Sequence, residues 1–166
     1  MSDPGFREAI PLALYVHVPW CVQKCPYCDF NSHSLRGTLP EDDYVAALVA
    51  DLESALPLVW GRRIVSVFFG GGTPSLLSAK AIDTLLSAIR ARLPLIHEAE
   101  VTLEANPGTV ESEKFAAFRD AGINRLSLGI QSFNPEHLKA LGRIHDGREA
   151  RRAIEIAANH FGNFNL

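Results

Sequence analysis

The chain has 166 residues, 47% of them hydrophobic and 21% charged, and 16 basic against 19 acidic residues leave a net charge of −3. That length suits one domain around one sizeable core, and the apolar fraction is ordinary for a soluble globular protein. Mild acidity argues against a general nucleic-acid binder, and no apolar run approaches the roughly 20 residues that span a bilayer. The opening run Met1-Ser2-Asp3-Pro4-Gly5-Phe6-Arg7-Glu8 lacks the basic start and long apolar stretch of a signal peptide, so the expected compartment is the cytoplasm.

In chain order, Leu14-Tyr15-Val16-His17-Val18 is a β-prone run closed by Pro19. It leads into Cys21-Val22-Gln23-Lys24-Cys25-Pro26-Tyr27-Cys28, which holds all 3 cysteines of the chain. From Pro40 to Leu56, Val45, Leu48, Val49, Leu52 and Leu56 fall on one helical face, with Thr38 and Glu41 spaced as a capping box. Ile64-Val65-Ser66-Val67-Phe68-Phe69 is nearly continuous in apolar character, the mark of a strand covered on both faces. Ile82, Leu85, Leu86, Ile89 and Leu93 return to helical spacing until Pro94. Val101-Thr102-Leu103-Glu104-Ala105 predicts a third strand, ended by Asn106-Pro107-Gly108. A third helix carries Phe115 and Phe118 and stops at Gly122. Arg125 to Ile130 predicts a fourth strand, followed by helices over Pro135 to Leu141 and Gly147 to His160. Asn163-Phe164-Asn165-Leu166 opens a fifth strand.

This alternation predicts an α/β fold with a parallel sheet and right-handed crossovers, either a barrel or an open doubly wound sheet. Four and a half βα units are too few to close an eight-stranded barrel, which takes about 250 residues, and the expectation is a fragment of a longer protein. An unpaired sheet edge would leave such a piece marginal in isolation, and a cooperative thermal transition would contradict that.

Each polar motif falls at or beyond the C-terminal end of a predicted strand, where ligand sites of parallel α/β folds gather. Cysteine spacings of four and three let three thiolates converge from one loop, one ligand short of a closed tetrahedral site. An odd, clustered cysteine set without an export signal points to metal ligation rather than disulfides. A zinc ion completed by His17 or His33 and an iron–sulfur cluster with an open corner both satisfy this spacing. Gly70-Gly71-Gly72-Thr73-Pro74 offers backbone groups to a ligand at close range, or else only a tight turn. No Lys-Ser/Thr follows it, so it is not a phosphate loop.

The Cys-x3-Cys-x2-Cys run with Tyr27 before the third cysteine resembles the signature of the radical S-adenosylmethionine (SAM) superfamily. The stretch from Tyr15 to His33 is similar to the branch that contains oxygen-independent coproporphyrinogen III oxidases and HemW-type haem chaperones. So are Gly70 to Ser75, Glu104 to Gly108, Gly129 to Phe133, and Leu141 to His145. The resemblance runs from Leu12 to Leu166. It implies a partial (β/α) barrel forming one core domain over 1–166, with the rest of the barrel and a C-terminal domain outside the sequence.

The resemblance further implies that Cys21, Cys25 and Cys28 bind three irons of a [4Fe-4S] cluster, the fourth iron being open to SAM. Tyr15 and Tyr27 would line the SAM pocket, and Gly71, Gly72 and Thr73 would meet its methionine end. Glu104, Gln131 and Arg143 would contact its ribose and carboxylate, which suits an acceptor for hydroxyls and a bidentate donor for an anion. In the superfamily, one-electron reduction of SAM yields methionine and a 5′-deoxyadenosyl radical. The oxidases carry Gly-Cys after the third cluster cysteine, whereas this chain has Asp29-Phe30, as the chaperone branch does. The expected function is therefore a haem chaperone, with haem as cargo and haem-accepting proteins as partners. An electron donor such as a flavodoxin or ferredoxin is expected, and peripheral membrane association through a haemoprotein recipient. Coproporphyrinogen oxidation and a non-catalytic zinc module are the alternatives.

Taken singly, several positions have plainer readings. Tyr15 could be a core aromatic, Gln131 a buried amide, and Glu104 a solvated strand-end carboxylate. Arg143 could belong to a basic helix face with Arg148, Arg151 and Arg152.

Overall fold

The computed structural model describes residues 10–109 and 112–166, and the N-terminal run read above lies outside the described residues. The chain begins with β1 (Leu12–Val18), the two-residue strands β2 (Trp20–Cys21) and β3 (His33–Ser34), and helix α1 (Glu41–Val59). Then come β4 (Ile64–Gly71), α2 (Ala79–Arg92), β5 (Leu95–Ala105), α3 (Ser112–Asp120) and β6 (Arg125–Leu128). Helices α4 (Pro135–Ala140) and α5 (Gly147–His160) precede β7 (Phe164–Asn165). The main sheet has the order β1-β4-β5-β6-β7, and every neighbouring pair is parallel.

One face of this sheet is apolar. Val16, Val18, Val67, Phe69, Val101, Leu103, Leu126 and Leu128 are buried there and join Ile82, Leu86, Phe115, Phe118 and Ala157 of the helices in a single core. Burying each large side chain in that core contributes roughly 1.5–3 kcal/mol. The opposite face carries Tyr15, His17, Phe68, Glu104, Arg125 and Ser127, none of which is fully buried. Helices α1, α2, α3 and α5 follow one another along the core face. The architecture is thus a partial barrel with helices outside, and not the doubly wound alternative, which would cover both faces. The expectation that Ile64–Phe69 is covered on both sides holds only in part, since Val65, Ser66 and Phe68 are half-buried.

Most predicted elements hold, and the differences have local causes. Strand β5 begins at Leu95 rather than Val101. Its first half, through His97, Glu98 and Glu100, is too polar to look like a covered strand. Helix α1 runs through Pro57 to Val59; the proline cannot donate to the carbonyl four residues back, and the helix ends two residues beyond it. The capping box expected of Thr38 and Glu41 does not form. Pro40 occupies the cap position, and the Glu41 carboxylate instead accepts from the Ser78 backbone N–H and hydroxyl, each at 2.6 Å. Ser78 caps α2, so Glu41 joins the start of one helix to the start of another, where negative charge complements the dipole. A true capping box begins α5 instead, between Asp146 and Glu149.

Candidate functional site

The cysteine loop leaves β1 at Pro19 and is tied down at both ends. Trp20 and Cys21 pair in parallel with His33 and Ser34, so the loop between them closes on itself. The Cys28 N–H donates to the Cys25 carbonyl at 3.1 Å, which closes a tight turn between the second and third cysteines. Lys24 Nζ donates to the carbonyls of Phe30 at 3.2 Å and Ser32 at 2.9 Å, bracing the loop from within. Cys21 is buried, and Cys25 and Cys28 are half-buried.

The glycine loop docks against this one. Gly72 N–H donates to the Val18 carbonyl and Thr73 N–H to the Trp20 carbonyl, both at 2.7 Å. A Cβ on Gly72 would stand 2.5 Å from the Trp20 oxygen, and Gly71 has φ +113° with the His17 ring beside it. Neither position accepts a side chain at that approach, so the tight-turn reading misses their use as a docking surface.

The two loops, with the ends of β5, β6 and β7, enclose a cleft of about 560 Å³. Cys21, Cys25, Tyr27, Cys28, Gly71, Gly72, Thr73, Glu104, Gln131 and Arg143 all line it. Tyr15 does not. It sits on the open sheet face, 55% exposed, with its ring stacked on Phe68 at 6.2 Å between centroids. Its hydroxyl meets His17 Nδ1 at 3.1 Å. The other His17 nitrogen lies 2.8 Å from the Asn31 carbonyl, an acceptor only, so Nε2 carries the proton and Nδ1 accepts from Tyr15.

Electrostatics distinguish the lining groups. Burial pushes the Glu104 carboxyl above its ordinary value, while the Gly71 N–H pulls it back. Burial also raises the Tyr27 phenol, reinforced by the Cys25 sulfur and opposed by Arg143. Arg143 is half-buried and stands apart from Arg148, Arg151 and Arg152, which are exposed on α5. Its guanidinium donates to Asn106 Oδ1 at 2.7 Å, to the Gly129 carbonyl, and to Cys25 Sγ at 3.6 Å. Its Nε is buried without a protein partner. Gln131 is exposed rather than a buried amide, and its φ of +64° is uncommon for a non-glycine residue.

Of the histidines weighed as a fourth metal ligand, His17 is committed through both nitrogens. His33 Nε2 lies 3.2 Å from Asn31 Oδ1. Among the described residues, no three or more His, Cys, Asp and Glu side chains gather as a single metal ion would require. Among the described residues, neither histidine joins the three thiols in a site for one zinc ion.

Comparison with known proteins decides the family. The Radical SAM superfamily model matches residues 15–165. The chain belongs to the radical SAM superfamily. It is 57% identical over 157 residues to a protein named Heme chaperone HemW from Escherichia coli, a match covering 94% of this chain and 42% of that one. A mitochondrial protein of Bos taurus, named Radical S-adenosyl methionine domain-containing protein 1, is 43% identical over 95% of this chain and 35% of its own length. The chain therefore spans less than half of these relatives. Among solved structures, the coproporphyrinogen III oxidase HemN of Escherichia coli, titled a radical SAM enzyme, superposes with a TM-score of 0.83 at 30% identity. That match covers 93% of this chain and 36% of that one.

As a radical SAM chain, it draws its cleft from every motif picked out in the sequence except Tyr15. Sequence reasoning passed over Asn106, which it took for a turn residue, and His145, buried with Nε2 3.1 Å from the Ile130 carbonyl. An Asn-Pro-Gly run looks like a turn whether or not its side chain works elsewhere.

Proposed function

We propose that this chain is the cofactor-binding core of a haem chaperone that holds a [4Fe-4S] cluster and SAM and passes haem to haemoproteins. The observation that carries the reading is the meeting of the cysteine loop, the glycine loop, Glu104, Gln131 and Arg143 around one cleft. The donor set fits both groups. Three thiols on one braced loop suit an iron–sulfur cube, and a cation with an unpartnered buried Nε suits an anionic ligand beside it. The chemistry such a pair supplies when bound is one-electron reduction.

Around it, the residues of this chain bind and orient. Cys21, Cys25 and Cys28 hold the irons. Gly71, Gly72 and Thr73 present backbone and hydroxyl groups to the amino-acid end of SAM. Glu104 accepts from ribose hydroxyls, Arg143 pairs the carboxylate, and Gln131 and Tyr27 border the ligand. Tyr15, held by His17, stands on the open sheet face near Glu104; burial first, and the Glu104 charge second, raise its phenol. A flavodoxin or ferredoxin would supply electrons, and contact with a membrane would come through the recipient haemoprotein.

The chaperone branch is favoured by Asp29-Phe30 after the third cysteine and by 57% identity to the HemW relative. Coproporphyrinogen oxidation is the second reading, favoured by the superposition on HemN. Anaerobic turnover of coproporphyrinogen III would establish the second, and haem transfer to an apo-haemoprotein without turnover the first. For the site itself, anaerobic reconstitution with iron and sulfide should give a brown protein with a dithionite-dependent paramagnetic signal. Cys25→Ala should lose the iron, whereas Glu104→Ala should keep it and bind SAM about tenfold more weakly, the scale of one hydrogen bond to a charged group. Equal iron in the wild type and Cys25→Ala overturns the assignment.

A further inference from the structure

We propose that Asn106 is a positioning residue that sets Thr73 and Arg143 in register as paired donors for one anionic ligand group. The inference rests on the SAM reading above and names a residue that reading does not use.

Asn106 is the first residue past β5, and its side chain is half-buried at the cleft wall. An Asn that served only the following turn would bond its own backbone two residues on. This side chain also reaches across the molecule. Its Nδ2 donates to Thr73 Oγ1 at 2.9 Å, 33 residues away in sequence, and its Oδ1 accepts from Arg143 at 2.7 Å, 37 residues away.

The chemistry of the partners fixes the amide orientation. Arginine only donates, so the oxygen must face Arg143 and the NH2 must face Thr73. Thr73 is then an acceptor toward Asn106, and its own hydroxyl proton is left to donate in another direction. Its backbone is already anchored through the Trp20 carbonyl. On the other side, the Asn106 contact and the Gly129 carbonyl hold one end of the guanidinium while Cys25 Sγ meets the other. One neutral amide thus presets a hydroxyl and a cation from two distant loops as donors, without adding a negative charge that would cancel Arg143.

The test uses anaerobically reconstituted protein and follows the change that SAM makes in the paramagnetic spectrum of the reduced cluster. Asn106→Ala should keep the wild-type iron content and need at least about tenfold more SAM for the same spectral change. Asn106→Asp keeps the shape but replaces the donor with a charge beside Arg143, and should be weakened at least as much at neutral pH. Thr73→Val should weaken binding, and the double variant Thr73→Val with Asn106→Ala should lose far less than the product of the two single losses.

If the wild type itself does not respond to SAM, the functional reading fails and this inference falls with it. If the wild type responds and Asn106→Ala titrates within twofold of it, or the two losses simply multiply, Asn106 has no positioning role. Loss of iron in Asn106→Ala with Asn106→Asp behaving as wild type would assign it to loop folding and overturn the proposal.

Discussion

Along β5, Val101, Leu103 and Ala105 face the helices and are buried in the apolar core, whereas Glu100, Thr102 and Glu104 face the other side of the sheet, where Thr102 is buried among polar partners. The same alternation runs through β1, where Val16 and Val18 face the core and Tyr15 and His17 do not. On the core side, position is set by area and shape, so any well-packed apolar set would serve. On the open side it is set by individual partners. Thr102 Oγ1 donates to Glu100 at 3.2 Å and accepts from Arg125 at 3.3 Å, and Arg125 donates to Asn165 Oδ1 at 2.6 Å. The backbone thus separates the work of folding from the work of the cleft by one residue step.

Two neighbouring substitutions sharpen that comparison, and the first carries the largest expected effect. Leu103→Ala removes a side chain with no solvent exposure and should cost about 2–5 kcal/mol, read as a lower urea midpoint. Glu104→Gln, next in sequence, should leave the midpoint within about 0.5 kcal/mol while weakening SAM binding. Equal midpoints for the two would break the division of labour between the faces.

How much of this was legible in the sequence follows the same division. Helical and strand periodicity reveals the core side because burial repeats with the geometry of the chain, as with Ile82, Leu85, Leu86 and Ile89 on α2. The cleft was legible where a motif is unusual in itself, as in the cysteine spacing and the glycine run. It was not legible where an ordinary residue works through a long-range partner. Asn106 looked like turn chemistry. Glu41 looked like a local cap, although its partner Ser78 lies 37 residues on. Tyr15 shows the converse, a motif residue drawn to His17 and Phe68 rather than to the cleft lining.

Glu41 gives the next prediction, a smaller one. Glu41→Ala strips the Ser78 N–H and hydroxyl of their acceptor and should destabilise the fold by about 1–2 kcal/mol, seen as a lower melting temperature with the cleft unaffected. Glu41→Gln keeps an acceptor and should recover part of that loss. An unchanged melting temperature in Glu41→Ala would mean that the α1–α2 junction is held by apolar packing alone.

The smallest effect belongs to His145, which is buried beside Arg143 with Nε2 against the Ile130 carbonyl. Burial first and Arg143 second lower its pKa, against opposing pulls from the Ile130 carbonyl, Glu149 and Asp146. The folded chain therefore resists a proton that the unfolded chain accepts near the ordinary value of 6.5. Stability from this group is complete well above that value and is lost as pH falls through it, down toward the lowered folded pKa. One proton limits the slope to about 1.4 kcal/mol per pH unit. His145→Gln, which retains an amide N–H for Ile130, should flatten the stability profile between about pH 7.5 and 5.5 relative to wild type. Because Ile130 precedes Gln131 at the cleft, the same variant tests whether the turn is held by that donor alone. Unchanged SAM binding with a flattened profile would place His145 on the folding side of the division, although it lies at the cleft end of the sheet.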